Sequence, residues 1–471
     1  MKKYFVLLLF ITTFSFSQVR VMEIDDLFKA KRISDPQISP DGKWITFVVG
    51  VVNKDENKTN NDIWIMNSNS EDLKQLTNDP KSDNHPRWSA DSKTISFTST
   101  RKGAPQIFTM DTKGENLKQI TNISTGASQQ TENKNITKNW DYVVTGFEWS
   151  SDSKYIFTPS EEKAEELLWR ISADGKEIKK ITLNGVTNSF SVSNSGVIVF
   201  TKASLNRPAE IYKIVNGGDE VKLTGFNDQL FSEINFSLPE KIWYDGARVK
   251  NQLWLIRPPN FNPTKKYPLV YLIHGGPQGA WLNGWSNRWN PQLWAAQGYV
   301  VVAPNPTGST GFGQKFTNDI SGDWGGAVYV DLMKGLDFVT KKYTFIDTTK
   351  MAAAGASYGG YMMNWFQGHT KRFKTLITHC GVYNFFSMYG TTEEVWFDDW
   401  EHGGSPWEKK DEYNKFSPHS FAENFSTPNL IIHNELDFRV PFSEGMQLFT
   451  VLQKKELNQS LFTSQMKGIG F

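Results

Sequence analysis

Met351-Ala352-Ala353-Ala354-Gly355-Ala356-Ser357-Tyr358-Gly359-Gly360 is an apolar run that enters a Gly-x-Ser-x-Gly turn and leaves through a second glycine. This is the pattern of a strand bending sharply into a helix with a serine at the apex. Glycines flank the serine because side chains there would collide with neighbouring backbone. Ser357 is therefore a candidate nucleophile. The backbone N–H of Tyr358, at the start of the following helix, is aimed where a tetrahedral oxyanion would form. Such a serine has its acid and its histidine later in the chain, in that order. Asp437 lies downstream as a candidate acid, and no histidine follows it.

The surrounding sequence fits the turn. Leu269-Val270-Tyr271-Leu272-Ile273, Tyr299-Val300-Val301-Val302-Ala303 and Asn429-Leu430-Ile431-Ile432-His433 are continuous apolar runs, as expected of parallel strands covered on both faces. Helical stretches, such as 326–340 and 360–369, fall between them. The pattern predicts a doubly wound, mostly parallel α/β sheet of hydrolase type, with its catalytic loops at the strand carboxyl ends. His274-Gly275-Gly276-Pro277 follows one strand and matches the glycine-rich loop that gives a second oxyanion donor, assigned to the Gly276 N–H. The acid sits in His433-Asn434-Glu435-Leu436-Asp437-Phe438-Arg439-Val440-Pro441, and by chemistry alone either Glu435 or Asp437 serves. His433 precedes both and reads as a hydrogen-bonded strand-end residue. His85, His274, His369, His379, His402 and His419 complete the inventory.

Residues from about 21 to 236 carry a repeat. A hydrophobe, then Ser-x-Asp-x-Lys, then an alternating strand occurs at Ile38-Ser39-Pro40-Asp41, Trp88-Ser89-Ala90-Asp91 and Trp149-Ser150-Ser151-Asp152, with a weaker copy at Val192-Ser193-Asn194-Ser195. Each unit closes on a threonine: Thr77, Thr121, Thr182 and Thr224. A period of roughly 40–60 residues with several short strands per unit predicts β-propeller blades, about four of them, rather than a plain sandwich. Between Ser124 and Trp140 the chain is polar and contains no blade.

Length and charge set the outer bounds. A chain of 471 residues suggests at least two domains. The net charge of +1, from 51 basic and 50 acidic residues, gives no sign of a nucleic-acid partner. Seventeen tryptophans suit a peptide cleft and equally suit β-rich packing. The lone cysteine, Cys380, allows no internal disulfide and reads as a small buried hydrophobe. No motif calls for a metal or an organic cofactor. Lys2-Lys3, the apolar run from Tyr4 to Phe16 and Ser15-Phe16-Ser17 predict a signal peptide over 1–17 and a secreted or periplasmic protein. That run falls short of the about 20 residues a stable membrane anchor needs. The expected organisation is a signal peptide at 1–17, an incomplete propeller at 18–240 and a catalytic domain at 241–471.

Ser357 with Gly359-Gly360-Tyr361 and Trp365, the His274-Gly275-Gly276-Pro277 loop and the Glu435-to-Pro441 segment together resemble the prolyl oligopeptidase family, in its acylaminoacyl-peptidase and dipeptidyl-peptidase V branch. The resemblance covers nearly the whole chain after the leader. It implies a serine peptidase acting on short peptides, whose propeller caps the active site, and it implies Asp437 as the triad acid. Within the branch, Thr391-Thr392-Glu393-Glu394-Val395-Trp396-Phe397 is similar to dipeptidyl-peptidase V. Release of N-terminal dipeptides would follow, with Glu393 or Glu394 anchoring a free amine and Val382, Phe386 and Tyr389 as candidates for an apolar side-chain pocket. A homo-oligomer is compatible with this reading.

Two departures stand beside the match. The family's propeller resembles seven blades, so a loss of about three is expected near Ser128 to Thr131. The family's histidine lies downstream of the acid in a segment resembling Phe-Pro-Asp-Glu-x-His-Trp, whereas here the chain runs Ser464-Gln465-Met466-Lys467-Gly468-Ile469-Gly470-Phe471. Codons for this tail, displaced by one base, permit Phe-Pro-Asp-Glu-Gly-His-Trp, with Glu forced by Met466-Lys467. A frameshift near Lys454-Lys455 is therefore expected, leaving the domain truncated and without its base. The expected function is that of a dipeptidyl-releasing serine peptidase, inactive in this form. The alternatives are an acylaminoacyl peptidase or other serine hydrolase, and a pseudoenzyme that binds peptides without cutting them.

Overall fold

The computed structural model describes residues 20–101, 106–119, 140–144, 146–187, 189–215 and 217–467. The leader at 1–17, the segment 128–131 where blades are expected to be missing, and the last four residues lie outside this set. Among the described residues no helix is long and apolar enough to cross a membrane.

Four antiparallel sheets of four strands each form the N-terminal part. Their first and last strands are Arg32–Ile38 and Lys74–Gln75, Asp83–Trp88 and Lys118–Gln119, Glu148–Trp149 and Ile178–Lys180, and Phe190–Val192 and Val221–Lys222. The repeated sequence is the blade's internal wiring. In three blades the serine hydroxyl donates to the aspartate two residues on: Ser39 to Asp41 at 2.6 Å, Ser89 to Asp91 at 2.6 Å and Ser150 to Asp152 at 2.7 Å. The same hydroxyls accept from the backbone of Trp44, Thr94 and Tyr155, which locks the turn into the next strand. In the fourth blade Ser195 replaces the aspartate and pairs with Ser193 at 3.0 Å. The closing threonines Thr77, Thr182 and Thr224 are buried and accept from the third-strand N–H of Ile63, Leu168 and Ile211, each at 2.9 Å.

The blades pack in the order third, fourth, first, second. Phe157, Leu168, Phe200 and Ile214 fill the third-to-fourth junction. Phe47, Ile45, Val199 and Ile211 fill the fourth-to-first junction, and Ile63, Ile65, Phe97 and Phe108 the first-to-second. None of the buried clusters among the described residues joins the second blade to the third. On those two blades Ile107, Leu117, Phe147 and Trp149 are exposed.

The C-terminal part is one eight-stranded sheet. Its strands are β1 (Glu240–Asp245), β2 (Lys250–Ile256), β3 (Tyr267–Ile273), β4 (Val300–Asn305), β5 (Ile346–Ala356), β6 (Thr375–His379), β7 (Asn429–Leu436) and β8 (Gln459–Lys467). They lie in the order β1-β2-β4-β3-β5-β6-β7-β8. The β1–β2 and β2–β4 pairs are antiparallel and all others parallel. Alternate residues of β3 show why such strands are apolar throughout. Leu269, Tyr271 and Ile273 pack on one face against α1 (Ala327–Lys342) and α2 (Tyr358–His369). Val270 and Leu272 pack on the other face, where Ala164 and Leu205 of the propeller join the cluster.

The third blade docks there by backbone bonds. Lys163 N–H donates to Gly311 at 2.7 Å and Asn283 N–H to Ala164 at 2.7 Å, beside the Lys241–Glu165 ion pair. Two further helices matter for the site, α3 (Val395–His402) and α4 (Phe442–Lys454).

Candidate active site

Ser357 stands between the end of β5 and the start of α2 at φ 58° and ψ −120°. A residue with a side chain rarely holds that backbone, and the surroundings over-determine it. Its N–H donates to His379 O at 2.9 Å. A Cβ on Gly359 would lie 2.3 Å from Ile273 O, and one on Gly355 would lie 2.5 Å from the Gly359 backbone. The glycines of the pentapeptide are thus a consequence of helix α2 starting directly against β3.

Tyr358 opens α2, so its N–H belongs to the first turn and has no partner within the helix. Its phenol is buried and donates to Trp324 O at 2.6 Å, which fixes the helix start. The glycine-rich loop lies alongside: a Cβ on Gly275 would meet the Ser357 Cβ at 3.4 Å. Gly276 holds φ 133° and a Cβ there would strike Gln278 N at 2.5 Å, so only glycine fits. The structure brings Ser357, Tyr358 and Gly276 to one cavity of about 510 Å³.

Asp437 and Glu435 are separated by burial. Glu435 is exposed, while Asp437 is 2% exposed at the end of β7. Asp437 Oδ1 accepts from the N–H of Arg439 at 3.1 Å and Val440 at 3.0 Å. Its Oδ2 is buried without a partner. An orienting acid needs such an oxygen, because the other end of the carboxylate must be held still.

Among the described residues no imidazole is hydrogen-bonded to Ser357 Oγ. His274, first residue of the glycine-rich loop, binds Ser309 Oγ and Gly275 O, and burial pushes its pKa down to about 4. His402 is enclosed by Trp324, Phe385 and Tyr413, and burial likewise pushes it down to about 4. His369 stacks on Trp365 at 3.8 Å. His433 gives Nε2–H to Val440 O at 2.7 Å, which ties its ring to the acid loop.

The sequence-derived pocket candidates divide. Val382 and Glu394 line the cavity, whereas Glu393, Phe386 and Tyr389 do not. Glu393 is exposed and only its backbone is engaged, with Phe438 O at 2.8 Å. Phe386 packs on Tyr413 and His419, and the Tyr389 hydroxyl binds Asp399 at 3.1 Å. Residues that sequence reasoning missed complete the walls: Trp324, Met388, Phe397 and Val440 on the apolar side, Arg288 and Arg439 on the polar side. Arg439 sits two residues after the acid, which was its only signal.

Comparison with known proteins bears on family and fold. Residues 285–468 match the model of the prolyl oligopeptidase family, and residues 27–134 match that of the TolB beta propeller domain. A probable dipeptidyl-peptidase 5 of Aspergillus clavatus is 34% identical over 434 residues, which is 90% of this chain and 60% of that protein. Dipeptidyl-peptidase 5 of Trichophyton equinum is 40% identical over 330 residues, 68% of this chain and 45% of that one. The chain thus spans about half the length of the curated relatives it matches. An acylaminoacyl peptidase of Pyrococcus horikoshii shares the fold with a TM-score of 0.83 at 19% identity, over 95% of this chain and 93% of that one.

Proposed function

This chain belongs to the prolyl oligopeptidase family, and on that premise we propose that it carries the site of a serine peptidase that removes dipeptides from the free N-terminus of short peptides. The observation that carries the reading is the placement of Ser357 and the Gly275-Gly276 loop in one cavity whose wall includes Arg439 and Val440, the two residues whose N–H groups hold the buried Asp437. Ser357 Oγ is the attacking atom. The N–H groups of Tyr358 and Gly276 receive the oxyanion, and Asp437 orients the imidazole that takes the serine proton. Glu394 supplies a carboxylate for the substrate's ammonium, and Val382, Met388 and Phe397 the apolar wall for a side chain.

The 471 residues bring no imidazole to Ser357 among those described. Turnover by this chain is therefore proposed to be near zero, since loss of one triad member removes several orders of magnitude from kcat. A panel of chromogenic dipeptide substrates, with free or acylated amines, tests the reading. Binding of the free-amine forms with negligible release of dye is expected. Preference for acylated forms would point instead to an acylaminoacyl peptidase, and ordinary enzyme rates abolished by Ser357→Ala would refute the inactivity.

Among the described residues no imidazole is hydrogen-bonded to Ser357 Oγ, which favours one second reading, a peptide-binding protein without catalysis. The coding DNA separates the two: displaced codons that cannot give histidine and tryptophan end the frameshift account. Export also remains part of the proposal, supported by the Lys2-Lys3 and Tyr4-to-Phe16 pattern. Sequencing the N-terminus of the mature protein tests it, with cleavage before Gln18 expected.

A further inference from the structure

The chain's single cysteine lies just past the end of β6, fully buried, with its N–H donating to Ile432 O at 2.9 Å. Cys380, His433 and Asp437 each offer a ligand atom, and these atoms all lie within 4.8 Å of one another. Cys380 stands beside the Asp437 carboxylate, and two polar atoms of these side chains, one on Asp437 and one on His433, have no hydrogen-bond partner. Asp437 uses Oδ1 for the loop N–H groups and leaves Oδ2 buried without a partner. His433 Nε2 faces a carbonyl, which only accepts, so Nε2 carries the hydrogen and Nδ1 keeps its lone pair. Nδ1 is also buried and unpartnered. Beside it stands Gly445 of α4, where a Cβ would come within 2.7 Å of Nδ1. An imidazole that gives one N–H to a backbone carbonyl and holds the other nitrogen free is oriented as metal-binding histidines are.

We propose that Cys380, His433 and Asp437 form a site for one borderline-soft divalent cation of the zinc class, with water in the fourth position. The thiolate disfavours magnesium and calcium, while a mixed sulfur, nitrogen and oxygen set suits zinc and cadmium. Ligand atoms about 2.0–2.3 Å from zinc sit roughly 3.5 Å apart, so closure asks the widest pair to move inward by about 1 Å. Binding releases the Cys380 thiol proton to solvent. The carboxylate and the neutral imidazole donate lone pairs, and nothing is oxidised or reduced. The cation takes Asp437 Oδ2, the oxygen an orienting acid offers to its histidine, so a loaded site and a working serine site exclude each other. That consequence rests on the peptidase reading, whereas the site itself does not.

The test uses the purified full chain, reduced, stripped with chelator and titrated with Cd²⁺. Because Cys380 is the only thiol, a cadmium–thiolate charge-transfer band reports on this residue alone. The band should saturate at one equivalent, disappear on displacement by Zn²⁺ and be absent in Cys380→Ser. Affinity should fall at least about tenfold in His433→Gln and Asp437→Asn, whichever keeps the native near-ultraviolet circular dichroism. No band in the unmutated chain, or unchanged affinity in a folded variant, overturns the proposal. X-ray absorption on the zinc-loaded unmutated chain gives a result independent of variant folding. One sulfur with imidazole scattering supports the site, and sulfur without imidazole overturns it. No arm reads peptidase activity, so failure here leaves the proposed function standing.

Discussion

Arg439 Nη2 lies 2.8 Å from Glu394 Oε1 in the wall of the cavity that holds Ser357. Glu394 precedes the first residue of α3, and Arg439 follows the acid by two residues, so the pair ties the helix on the substrate side to the acid loop. Both side chains are partly exposed, and such pairs contribute about 0–1 kcal/mol to stability. On the proposed function its meaning lies in binding: Arg439 holds the Glu394 carboxylate at the cavity, where a substrate ammonium would share it.

Glu394→Gln should therefore weaken binding of a free-amine dipeptide about tenfold, a loss of about 1.4 kcal/mol. The N-acetylated form of the same dipeptide should bind unchanged, and the melting temperature should hardly move. Isothermal calorimetry on both ligands decides it. Equal losses for the two would make Glu394 a mere counterion of Arg439.

The elbow gives a stability prediction with two signs. Ser357 holds a backbone conformation that costs about 1–3 kcal/mol for a residue with a Cβ. Ser357→Gly should be more stable than Ser357→Ala by about 1 kcal/mol in urea unfolding. Gly359→Ala drives a methyl into the Ile273 carbonyl at 2.3 Å, a backbone atom that cannot step aside. It should lose at least about 3 kcal/mol, through strain that overpacking alone seldom exceeds.

What the sequence made legible was local. Ser357 and the blade turns at Ser39, Ser89 and Ser150 are set by neighbours a few residues away, so their pattern survives in one dimension. The cavity walls are not local. Trp324, Met388 and Phe397 come from three separate segments and read as ordinary core residues until the sheet brings them together. Glu393 and Glu394 were indistinguishable as a pair of acids, and only the entry into α3 turns one toward Arg439 and the other to solvent. Phe386 and Tyr389 were read as pocket residues for their apolar character, which the packing on Tyr413 uses instead. Asp437 could not be told from Glu435 by chemistry, and burial separates them.

Asp398 on α3 gives a pH dependence. It is 1% exposed, neither carboxylate oxygen has a partner, and burial, with Asp399 and Glu444 adding to it, pushes its pKa up to about 7. Between about pH 4 and 7 the folded carboxyl keeps a proton that the unfolded one has shed. The stabilisation is thus fully present below pH 4 and is lost as pH rises through 7. Glu166, pushed up to about 7 by burial and Glu161, acts in the same direction. Asp398→Asn should raise stability at pH 8 by about 2 kcal/mol and make the fall shallower. Urea unfolding from pH 4 to 8 measures both, and an unchanged slope would contradict the assignment.

The junction between the second and third blades should be the least protected part of the propeller. Ile63 and Phe97 are sealed at the first-to-second junction, whereas Phe147, Trp149, Ile107 and Leu117 face solvent. Local opening costs least where few apolar contacts must break. Hydrogen exchange should therefore run at least about tenfold faster in Gln106–Asp111 and Glu148–Trp149 than in Trp44–Asn53 and Lys58–Asn67. Uniform protection across the four blades would mean that other parts of the chain seal this junction.

The last prediction concerns the base itself. Asp437 Oδ2 is buried and unclaimed, and Ser357 opens into a cavity of about 510 Å³, ample for a free imidazole. If these residues lack only an imidazole between the two groups, imidazole from solution should supply it. Hydrolysis of an activated dipeptidyl ester should rise with imidazole concentration and saturate. It should exceed the buffer reaction by at least about tenfold, since general-base assistance contributes 10²–10⁴-fold when well placed. Ser357→Ala should abolish the gain, and Asp437→Asn should cut it by about an order of magnitude, because an unoriented imidazole is a poorer base. A linear dependence on imidazole that survives Ser357→Ala would show only solution catalysis, and the chain would then be read as a peptide binder.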